Sequence, residues 1–268
     1  IRMNSQTPEA KDPKPSDSYV QSFARGLEVI RSFSAATPQQ TLSEVAAQTG
    51  LTRAGARRIL LTLQTLGYVE TDGKLFRLSP RILDLGFAYL SSLPIWNLAE
   101  PVMEDLVEEV RESSSAAVLD GLDIVYVLRV PTHKIMRTTL GVGSRLPACW
   151  TSMGRMLLAG LPDDELQDRL QGHPMQRFTE HTTTDVDALL AHIRQARQQG
   201  WCLVNQELEE GLISIAAPLT NRTGQTVAAL NISGQANRTS AAMMQESLLP
   251  ALLNAARTIS RMMGAPRE

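Results

Sequence analysis

Three arginines that could bind DNA lie close together in the first quarter of the chain. Arg53 and Arg57 are four residues apart, and Arg58 follows directly. Residues at this spacing project from the same face of a helix. Guanidinium groups on such a face can hydrogen-bond guanine edges in the major groove or neutralise phosphates. The pattern is typical of a DNA-reading helix, although a solvated helix face can carry the same residues.

The segments around these arginines predict a helix-turn-helix. A first helix is indicated by apolar residues at helical spacing, namely Phe23, Leu27, Ile30 and Phe33. Thr41 and Glu44 form the capping-box pattern of a second helix that stops at Gly50. Thr52 can cap a third helix, which ends at Gly67 and carries the three arginines. Two helices joined by so short a turn must cross.

A hairpin is predicted directly after the third helix. Asp72-Gly73 is a strong two-residue turn signal between strand-like runs at residues 68–70 and 75–78. This hairpin supplies the wing, so the front segment reads as a winged helix-turn-helix. The candidate DNA-binding residues are those of the third helix and the wing, namely Thr52, Arg53, Arg57, Arg58, Thr62, Lys74 and Arg77.

The distribution of charge agrees with a DNA partner for the front of the chain. Residues 19–81 hold eight basic and four acidic side chains, whereas residues 82–268 hold fifteen basic and twenty-one acidic ones. We therefore divide the chain into a flexible arm at 1–18, the DNA-binding domain at 19–81, a linker helix at 82–96 and a larger domain at 97–268. The apolar seam of the linker helix could pair with a second subunit.

The larger domain alternates helices with two groups of strands, which predicts an α+β fold. The helices are expected at about 152–159, 163–170, 186–199 and 241–263, with Pro250 breaking the last, and one of the strands at 135–140. Arg145 lies in a Gly-flanked loop before a helix start at Thr151 or Ser152, where free N–H groups attract anions. A carboxylate could bind there, with Arg145 as its partner. Ser214, Asn231 and Ser233 alternate with apolar neighbours on strands and could share one face. The alternatives are a solvated Arg145 and strand polar groups satisfied within the sheet.

Patterns of catalysis, cofactors and metals are missing from the sequence. It has no complete dinucleotide fingerprint, nucleophile elbow or P-loop, and its histidines lack metal-binding spacing. Cys149 and Cys202 are predicted to be buried free thiols, and the acidic run at Glu207, Glu209 and Glu210 to be a solvated loop. No apolar stretch is long enough for a membrane helix and the start does not read as a secretory signal, so we expect a cytoplasmic protein.

Several runs of residues resemble the IclR family of bacterial regulators, over residues 19–264. They are ARGLEVI at 24–30, LSEVA at 42–46, GLTR at 50–53, LQTLGYV at 63–69, GSRLP at 143–147, TSMGR at 151–155 and GLISIAAPL at 211–219. The runs YLSSLP at 89–94, SSSA at 113–116 and DIVY at 123–126 are similar to the branch that controls aromatic-acid catabolism through the β-ketoadipate pathway.

The resemblance implies a GAF-like effector-binding domain, a homodimer that often pairs into a tetramer, and control of catabolic genes. Its implied partners are an operator in double-stranded DNA, a small aromatic or dicarboxylic acid and, for an activator, RNA polymerase. By matched position, the family's effector pocket would be lined here by Met136, Leu146, Met153, Gly154, Leu212, Ser214, Asn231 and Ser233. The family commonly has a smaller or imidazole-bearing residue near Trp150.

Two other functions remain open from the residues alone. The chain could be an enzyme of small organic acids whose helix-turn-helix mediates protein contacts, which turnover of a candidate acid would reveal. It could also be a DNA-binding protein whose larger domain only oligomerises, in which case no ligand would raise its melting temperature.

Overall fold

The computed structural model describes residues 19–91, 95–132 and 140–265 of the chain. They fall into two compact units, which divide between Ala88 and Tyr89. We describe each unit by itself. The predicted flexible arm at 1–18 lies outside the described residues, and the predicted domain limits stay a proposal.

The first unit begins with three helices, α1 (Gln21–Arg31), α2 (Leu42–Thr49) and α3 (Arg53–Thr65). The predicted capping box is present at α2, where Thr41 accepts a hydrogen bond from the Glu44 N–H and its own N–H donates to the Glu44 carboxylate. Thr52 caps α3 by accepting from the Gly55 N–H at 3.1 Å. Gly50 ends α2 at a φ of 64°, a left-handed conformation that suits glycine.

A three-stranded antiparallel sheet follows, in the order β1-β3-β2. Strands β2 (Val69–Thr71) and β3 (Leu75–Leu78) form the predicted wing, and β1 (Gln40–Thr41) adds a third strand that the sequence did not predict. The helices and the sheet enclose a small core, whose buried members are Val29, Phe33, Val45, Ala46, Ala56, Leu60, Leu63, Val69 and Phe76. The predicted winged helix-turn-helix is therefore confirmed.

The predicted linker region contains a 3-10 turn (Pro80–Ile82) and helix α4 (Leu83–Ser91). Leu83 and Phe87 are 70% and 68% exposed, although both are large and apolar. Of the predicted seam (Ile82, Leu85, Tyr89 and Leu93), Leu85 and Tyr89 are 51% and 49% exposed, and Leu93 lies outside the described residues. The pairing of this seam with a second subunit stays a prediction.

The second unit is built on a six-stranded antiparallel sheet in the order β6-β5-β4-β9-β8-β7. Its strands are β4 (Ser113–Asp120), β5 (Asp123–Val130), β6 (Arg145–Pro147), β7 (Cys202–Asn205), β8 (Leu212–Thr220) and β9 (Thr226–Gln235). Its helices are α5 (Ile95–Val110), α6 (Ser152–Ala159), α7 (Asp163–Leu170), α8 (Val186–Gln199), α9 (Ala241–Met243) and α10 (Leu249–Met262), with a 3-10 turn at Ala148–Trp150 and a π-helical stretch at Met244–Leu248.

Helices cover both faces of this sheet, so the second unit has two apolar cores. One core packs α6, α7 and α8 against strand residues such as Ala117 and Ala229. The other packs α5 and α10 against the opposite face, where Ile213 and Ile215 are fully buried. Because successive strand residues face opposite sides, one sheet can serve both cores. The α+β architecture predicted from the sequence is confirmed.

One detail of the second unit differs from the sequence expectations. Arg145 was placed in a loop but belongs to the short strand β6, which pairs with β5. The expected break of the last helix at Pro250 agrees with the change at this point, where the π-helical stretch ends at Leu248 and α10 begins at Leu249; Pro250 lies in the first turn of α10, where its missing N–H costs no hydrogen bond. The strand expected at residues 135–140 lies outside the described residues except for Leu140, which is not in a strand.

Candidate DNA-recognition surface and effector cavity

The exposed face of α3 carries the predicted arginine cluster. Arg53, Arg57 and Arg58 are all exposed, while Ala56 and Leu60 on the opposite side are fully buried. No ion pair engages the three guanidinium groups within the described parts of the chain, so their charge is available to a polyanion. The local geometry therefore suits insertion of α3 into a major groove.

The other predicted DNA-binding residues are already engaged to different degrees. Thr52 uses its hydroxyl oxygen as the helix cap, and the Thr62 hydroxyl donates to the Arg58 carbonyl at 2.8 Å. Arg77 donates two hydrogen bonds to the Glu70 carboxylate across the β2–β3 pair, at 2.9 and 2.8 Å. Of the two cationic wing residues, Lys74 at the hairpin tip is therefore the freer one.

Hydrogen bonds within the turn constrain the backbone at the tip of the wing. The Asp72 carboxylate accepts hydrogen bonds from the N–H groups of Leu75 and Lys74, which lower the pKa of Asp72 below its usual value. Gly73 follows with a φ of 100°, which side chains rarely tolerate. These bonds fix the backbone of Lys74 at the tip of the hairpin.

A cavity of about 980 Å³ opens in the second unit beside the sheet and the start of α6. Its lining includes Tyr126, Arg129, Leu140, Leu146, Trp150, Thr151, Ser152, Met153, Val204, the segment 206–212, Ser214, Asn231 and Ser233, and the segment 234–237. The volume is large enough for a small aromatic acid. Six of the predicted effector residues line it: Leu146, Met153, Leu212, Ser214, Asn231 and Ser233.

Polar side chains form two adjacent rows on the sheet face that borders the cavity. Ser214 on β8 pairs with Ser233 on β9, and Asn231 two residues earlier pairs with Ser115 on β4. Directly paired residues and residues two apart on a strand share a face. The shared face predicted for Ser214, Asn231 and Ser233 is therefore present. Further along, the same face is apolar at Ala229.

These rows retain hydrogen-bonding capacity toward the cavity. The Asn231 side-chain oxygen accepts from the Ser115 N–H at 3.0 Å, which leaves its NH₂ group as a donor. The hydroxyls of Ser214 and Ser233 make no hydrogen bond to another described side chain or to the described backbone. All three residues are at least 92% buried, so a ligand would meet these polar groups on the inner wall of the cavity.

The N-terminus of α6 supplies the second polar wall. Thr151 caps the helix by accepting from the Gly154 N–H at 3.1 Å, so the sequence alternative with Ser152 as cap is wrong. Ser152 is the first helical residue, is 1% exposed, and its Oγ has no partner among the described residues. Together with the first N–H groups of the helix, this hydroxyl can hold an anion.

Arg129 is the cation that the sequence analysis missed in the cavity wall. It is half-buried on β5, and its Nη1 donates to the Ser115 hydroxyl at 3.3 Å. Its neighbour in the wall is Tyr126, whose pKa is raised by burial and partly lowered again by the charge of Arg129. The available sequence signal was the one charged residue in the otherwise apolar run at 124–130.

The role expected for Arg145 needs correction. This residue is absent from the cavity lining, and its guanidinium is held by the carboxylates of Asp120 at 2.7 Å and Asp123 at 3.1 Å. The pairing follows from β6 lying next to β5, which brings Arg145 opposite Val125 and close to Asp123. Arg145 is 47% exposed and already paired, and the arginine that lines the cavity is Arg129.

Two more predicted effector residues have different outcomes. Gly154 does not line the cavity; it lies against the backbone of Ala148, in a space that a Cβ would fill. Because it has no side chain, Gly154 allows α6 to pack closely against the turn at Ala148–Trp150. Met136 lies outside the described residues.

The acidic run at 207–210 was expected to be a solvated loop, and for Glu207 this is wrong. Glu207 is 8% exposed and its carboxylate pairs with Arg155, which is 2% exposed. The two residues are 52 positions apart, so no local pattern could reveal the pair. Cys149 and Cys202 are buried free thiols as expected, and burial raises the pKa of each to about 11.

Neither a metal site nor a membrane helix was found where the structure describes the chain. No group of three or more histidine, cysteine, aspartate or glutamate side chains there is arranged to hold a metal ion. None of the described helices is long and apolar enough to cross a membrane.

Comparison with known proteins decides the family. The description "Bacterial transcriptional regulator IclR C-terminal" matches residues 87–261, and "IclR helix-turn-helix domain" matches residues 22–73. The chain belongs to the IclR family. It is therefore a DNA-binding transcriptional regulator with an effector-binding domain, and the alternative of an enzyme is not favoured.

Similar proteins support this assignment along nearly the whole chain. The Pca regulon regulatory protein of Pseudomonas putida is 41% identical over 242 residues, which are 90% of this chain and 83% of that protein. A crystal structure of a transcriptional regulator from Rhodococcus sp. RHA1 is 52% identical, with a TM-score of 0.83, and the match covers 91% of this chain and 98% of that one.

A third relative has been solved with an aromatic acid. The IclR homologue of Microbacterium hydrocarbonoxydans, in complex with 4-hydroxybenzoate, is 26% identical with a TM-score of 0.80. The match covers 91% of this chain and 99% of that one.

Proposed function

We propose that this IclR-type regulator controls catabolic genes in response to an aromatic carboxylic acid bound in the cavity of the second unit. The observation that carries the proposal is the buried Ser152 hydroxyl, which lacks a partner at the N-terminus of α6 and lines the cavity. An unpaired buried polar group is costly, so it is expected where a ligand completes its hydrogen bonding. The complex of the Microbacterium relative with 4-hydroxybenzoate supports an aromatic acid.

The cavity suggests how such an acid is held. The carboxylate accepts hydrogen bonds from Ser152 and from the first N–H groups of α6, where the helix dipole favours a negative charge. The ring lies among Leu146, Met153 and Trp150, and a ring hydroxyl meets Ser214, Ser233 or the Asn231 amide. Arg129 adds a positive charge on the same side of the sheet as Asn231.

On DNA, we propose that α3 enters the major groove of the operator. Arg53 and Arg57 near its N-terminus read base edges, while Arg58 and Lys74 contact phosphates. The Thr52 hydroxyl accepts the cap hydrogen bond and can still donate to a phosphate, whereas the Thr62 hydroxyl donates to the Arg58 carbonyl and can contribute only as an acceptor or by packing. The guanidinium of Arg77 is already bonded to the Glu70 carboxylate, so only its remaining N–H groups are available to a phosphate.

We further propose that the protein acts as a homodimer that can pair into a tetramer. The exposed Leu83 and Phe87 of α4 support a subunit contact, because exposed apolar rows of this kind mark interaction sites. The acid shifts the population of assemblies that fit the operator by binding one arrangement more tightly. Where genes are activated, RNA polymerase is the further partner. A cytoplasmic location follows from this role.

The effector assignment is tested by melting the full chain against 4-hydroxybenzoate, protocatechuate and β-ketoadipate. We expect an aromatic acid to raise the melting temperature in a concentration-dependent way, since a ligand of the folded state stabilises it. A rise with β-ketoadipate alone would move the effector to the dicarboxylic acids. No rise with any of the three would contradict an acid-binding cavity.

Ser152→Ala is expected to separate effector binding from stability. Loss of a hydrogen bond to a charged group of about 1.5–3 kcal/mol would weaken binding of the acid about 10- to 100-fold by calorimetry. The free protein should be no less stable than wild type, because the lost hydroxyl was buried without a partner. The control is Ser260→Ala, another buried serine, which bonds the Thr220 N–H away from the cavity and should leave affinity unchanged.

Arg57→Ala is expected to weaken operator binding by about 1–3 kcal/mol if this side chain reads a base. Gel-shift titration of the wild type and the variant on the same operator measures the difference. Arg31→Ala, which removes an exposed arginine from the end of α1, is the matched control for net charge. Equal losses in both variants would mean that only the general charge of the unit matters.

A further inference from the structure

A buried ion pair at the wall of the cavity has no role in the contacts proposed so far. The Arg155 guanidinium on α6 donates to both carboxylate oxygens of Glu207, from Nη1 to Oε1 and from Nη2 to Oε2, each at 2.7 Å. Its Nε donates to the Cys149 carbonyl at 2.8 Å. The side chains of Arg155 and Glu207 are 2% and 10% exposed, so little water competes for their hydrogen bonds. These bidentate bonds hold the two side chains in one geometry.

Glu207 also fastens the loop in which it lies. The loop comprises residues 206–211, between β7 and β8, and every one of these residues lines the cavity. The Glu207 carboxylate accepts from the Thr183 N–H at 2.9 Å, and its carbonyl accepts from the Thr182 hydroxyl at 2.7 Å. The Thr179 hydroxyl donates to the Gln206 carbonyl at 2.6 Å. The segment 179–183 thus clamps the loop from outside the cavity.

The backbone of this loop needs such support. Gln206 has a φ of 60°, a left-handed conformation that is uncommon for residues other than glycine. A strained residue of this kind persists only where its surroundings over-determine it. Here the Gln206 N–H donates to the Leu212 carbonyl at 2.7 Å, and its side-chain oxygen accepts from the Gly211 N–H.

The same ion pair also reaches the anion-binding end of α6. Arg155 is one turn after Ser152 on this helix, and Cys149 belongs to the turn that leads into it. Trp150, which lines the cavity, donates from Nε1 to the Thr183 carbonyl at 2.8 Å. One buried network therefore connects the helix start, the tryptophan wall and the loop.

Electrostatics keeps the pair ionised in the folded protein. Burial by itself would raise the pKa of Glu207, but hydrogen bonds and charge from Arg155, with the Thr183 N–H, lower it below its usual value. A carboxylate that stays charged and bidentate fixes distances more strictly than a neutral side chain would.

We propose that Arg155 and Glu207 are positioning residues of the effector cavity: their pair sets the separation between the N-terminus of α6 and the 206–211 loop. The 206–211 loop is then ordered before an aromatic acid binds, so little binding free energy is lost to ordering it. This inference rests on the proposed effector cavity, but the position of the loop can be measured without a ligand.

The first test is hydrogen exchange of backbone amides in the ligand-free full chain. Glu207→Gln keeps an oxygen for the Thr183 N–H but removes the charge. Thr179→Val removes a separate bond to the same loop without changing charge. We expect both variants to speed exchange in residues 206–212, while the amides of β4, β5 and α10 keep their wild-type rates. Unchanged exchange in the loop, or a uniform increase across the unit, would overturn the positioning role.

The matched control is Asp163→Asn. It removes a carboxylate from another arginine pair, that with Arg197, which is half-exposed and has no residue in the cavity lining. Its exchange rates in residues 206–212 should equal those of the wild type. Faster loop exchange in this variant as well would count against a specific role for Glu207.

The second test measures affinity for 4-hydroxybenzoate by calorimetry. If the loop of Glu207→Gln is in place for about a tenth of the time, affinity falls about tenfold, because apparent affinity scales with the competent fraction. Equal affinity in wild type and variant would refute the proposal. Failure of wild type to bind any of the three acids would instead contradict the proposed function, and the exchange experiment would then decide the positioning role by itself.

Discussion

Replacing Gly154 with alanine is expected to destabilise the effector-binding unit by about 3 kcal/mol or more. A Cβ at this position would collide with the carbonyl oxygen, Cα and carbonyl carbon of Ala148. These are backbone atoms of the turn that leads into α6, so no side-chain rotation can relieve the overlap. Either α6 or the turn must move, and the start of α6 forms a wall of the cavity.

Thermal melting of the free protein measures this effect. For a unit of this size each kcal/mol lowers the midpoint by about 2–4 °C, so a fall on the order of 6–12 °C is expected. The control is Gly141→Ala in the same unit, where a Cβ would meet no atom within 4 Å. A Gly154→Ala protein that melts like the control would show that the turn yields easily.

Arg155→Met is expected to cost about 3–5 kcal/mol at pH 7, because it leaves the Glu207 carboxylate buried and unpaired. The double variant Arg155→Met with Glu207→Leu should recover part of this loss, since an apolar pair avoids the uncompensated charge. Urea denaturation at equilibrium gives the free energies of unfolding. No recovery in the double variant would mean that the hydrogen bonds to Cys149 and Thr183, rather than the charge, carry the stability.

The same pair gives a pH dependence of defined sign. In the wild type the folded-state pKa of Glu207 is lowered, so its stabilisation is full above the unfolded value of 4.5 and is lost as the pH falls through the lowered pKa. In Arg155→Met, burial, which is the largest single contribution, is opposed only by the hydrogen bonds from Thr183, so we expect it to raise that pKa above 4.5. The variant therefore gains stability as the pH falls from 7 toward 4.5, and its deficit against wild type should narrow.

Local signals explain which elements of the fold were predictable. Helices α6, α7 and α8 have the limits expected from the sequence, because caps and stops such as Asp185 and Gly200 are encoded next to them. The two-residue strand β1 carries no pattern of its own and forms only because β3 offers an edge. The π-helical stretch before α10 ends two residues before Pro250, whose missing N–H and ring disturb regular helical bonding, so here the sequence did carry a signal.

The site was predictable to the extent that it follows strand alternation. Ser214 and Ser233 were found because polar residues alternate with apolar ones, and the register then brings them opposite each other. Arg145 was misplaced because its partners Asp120 and Asp123 are set by the pairing of β5 with β6. Arg155 and Glu207 are 52 residues apart in the sequence and are brought together only by the tertiary fold, so no local pattern predicted that they are buried as a pair.

Trp150 has an optical consequence. Of the chain's three tryptophans, all within the described residues, it is the one in the cavity lining. Its ring lies edge-on to Phe178 with centroids 5.0 Å apart, and its indole N–H is committed to Thr183. An aromatic acid beside this ring would change the polarity and quenching that the indole experiences. Intrinsic fluorescence would thereby report effector occupancy in the unlabelled regulator, even while it is bound to its operator.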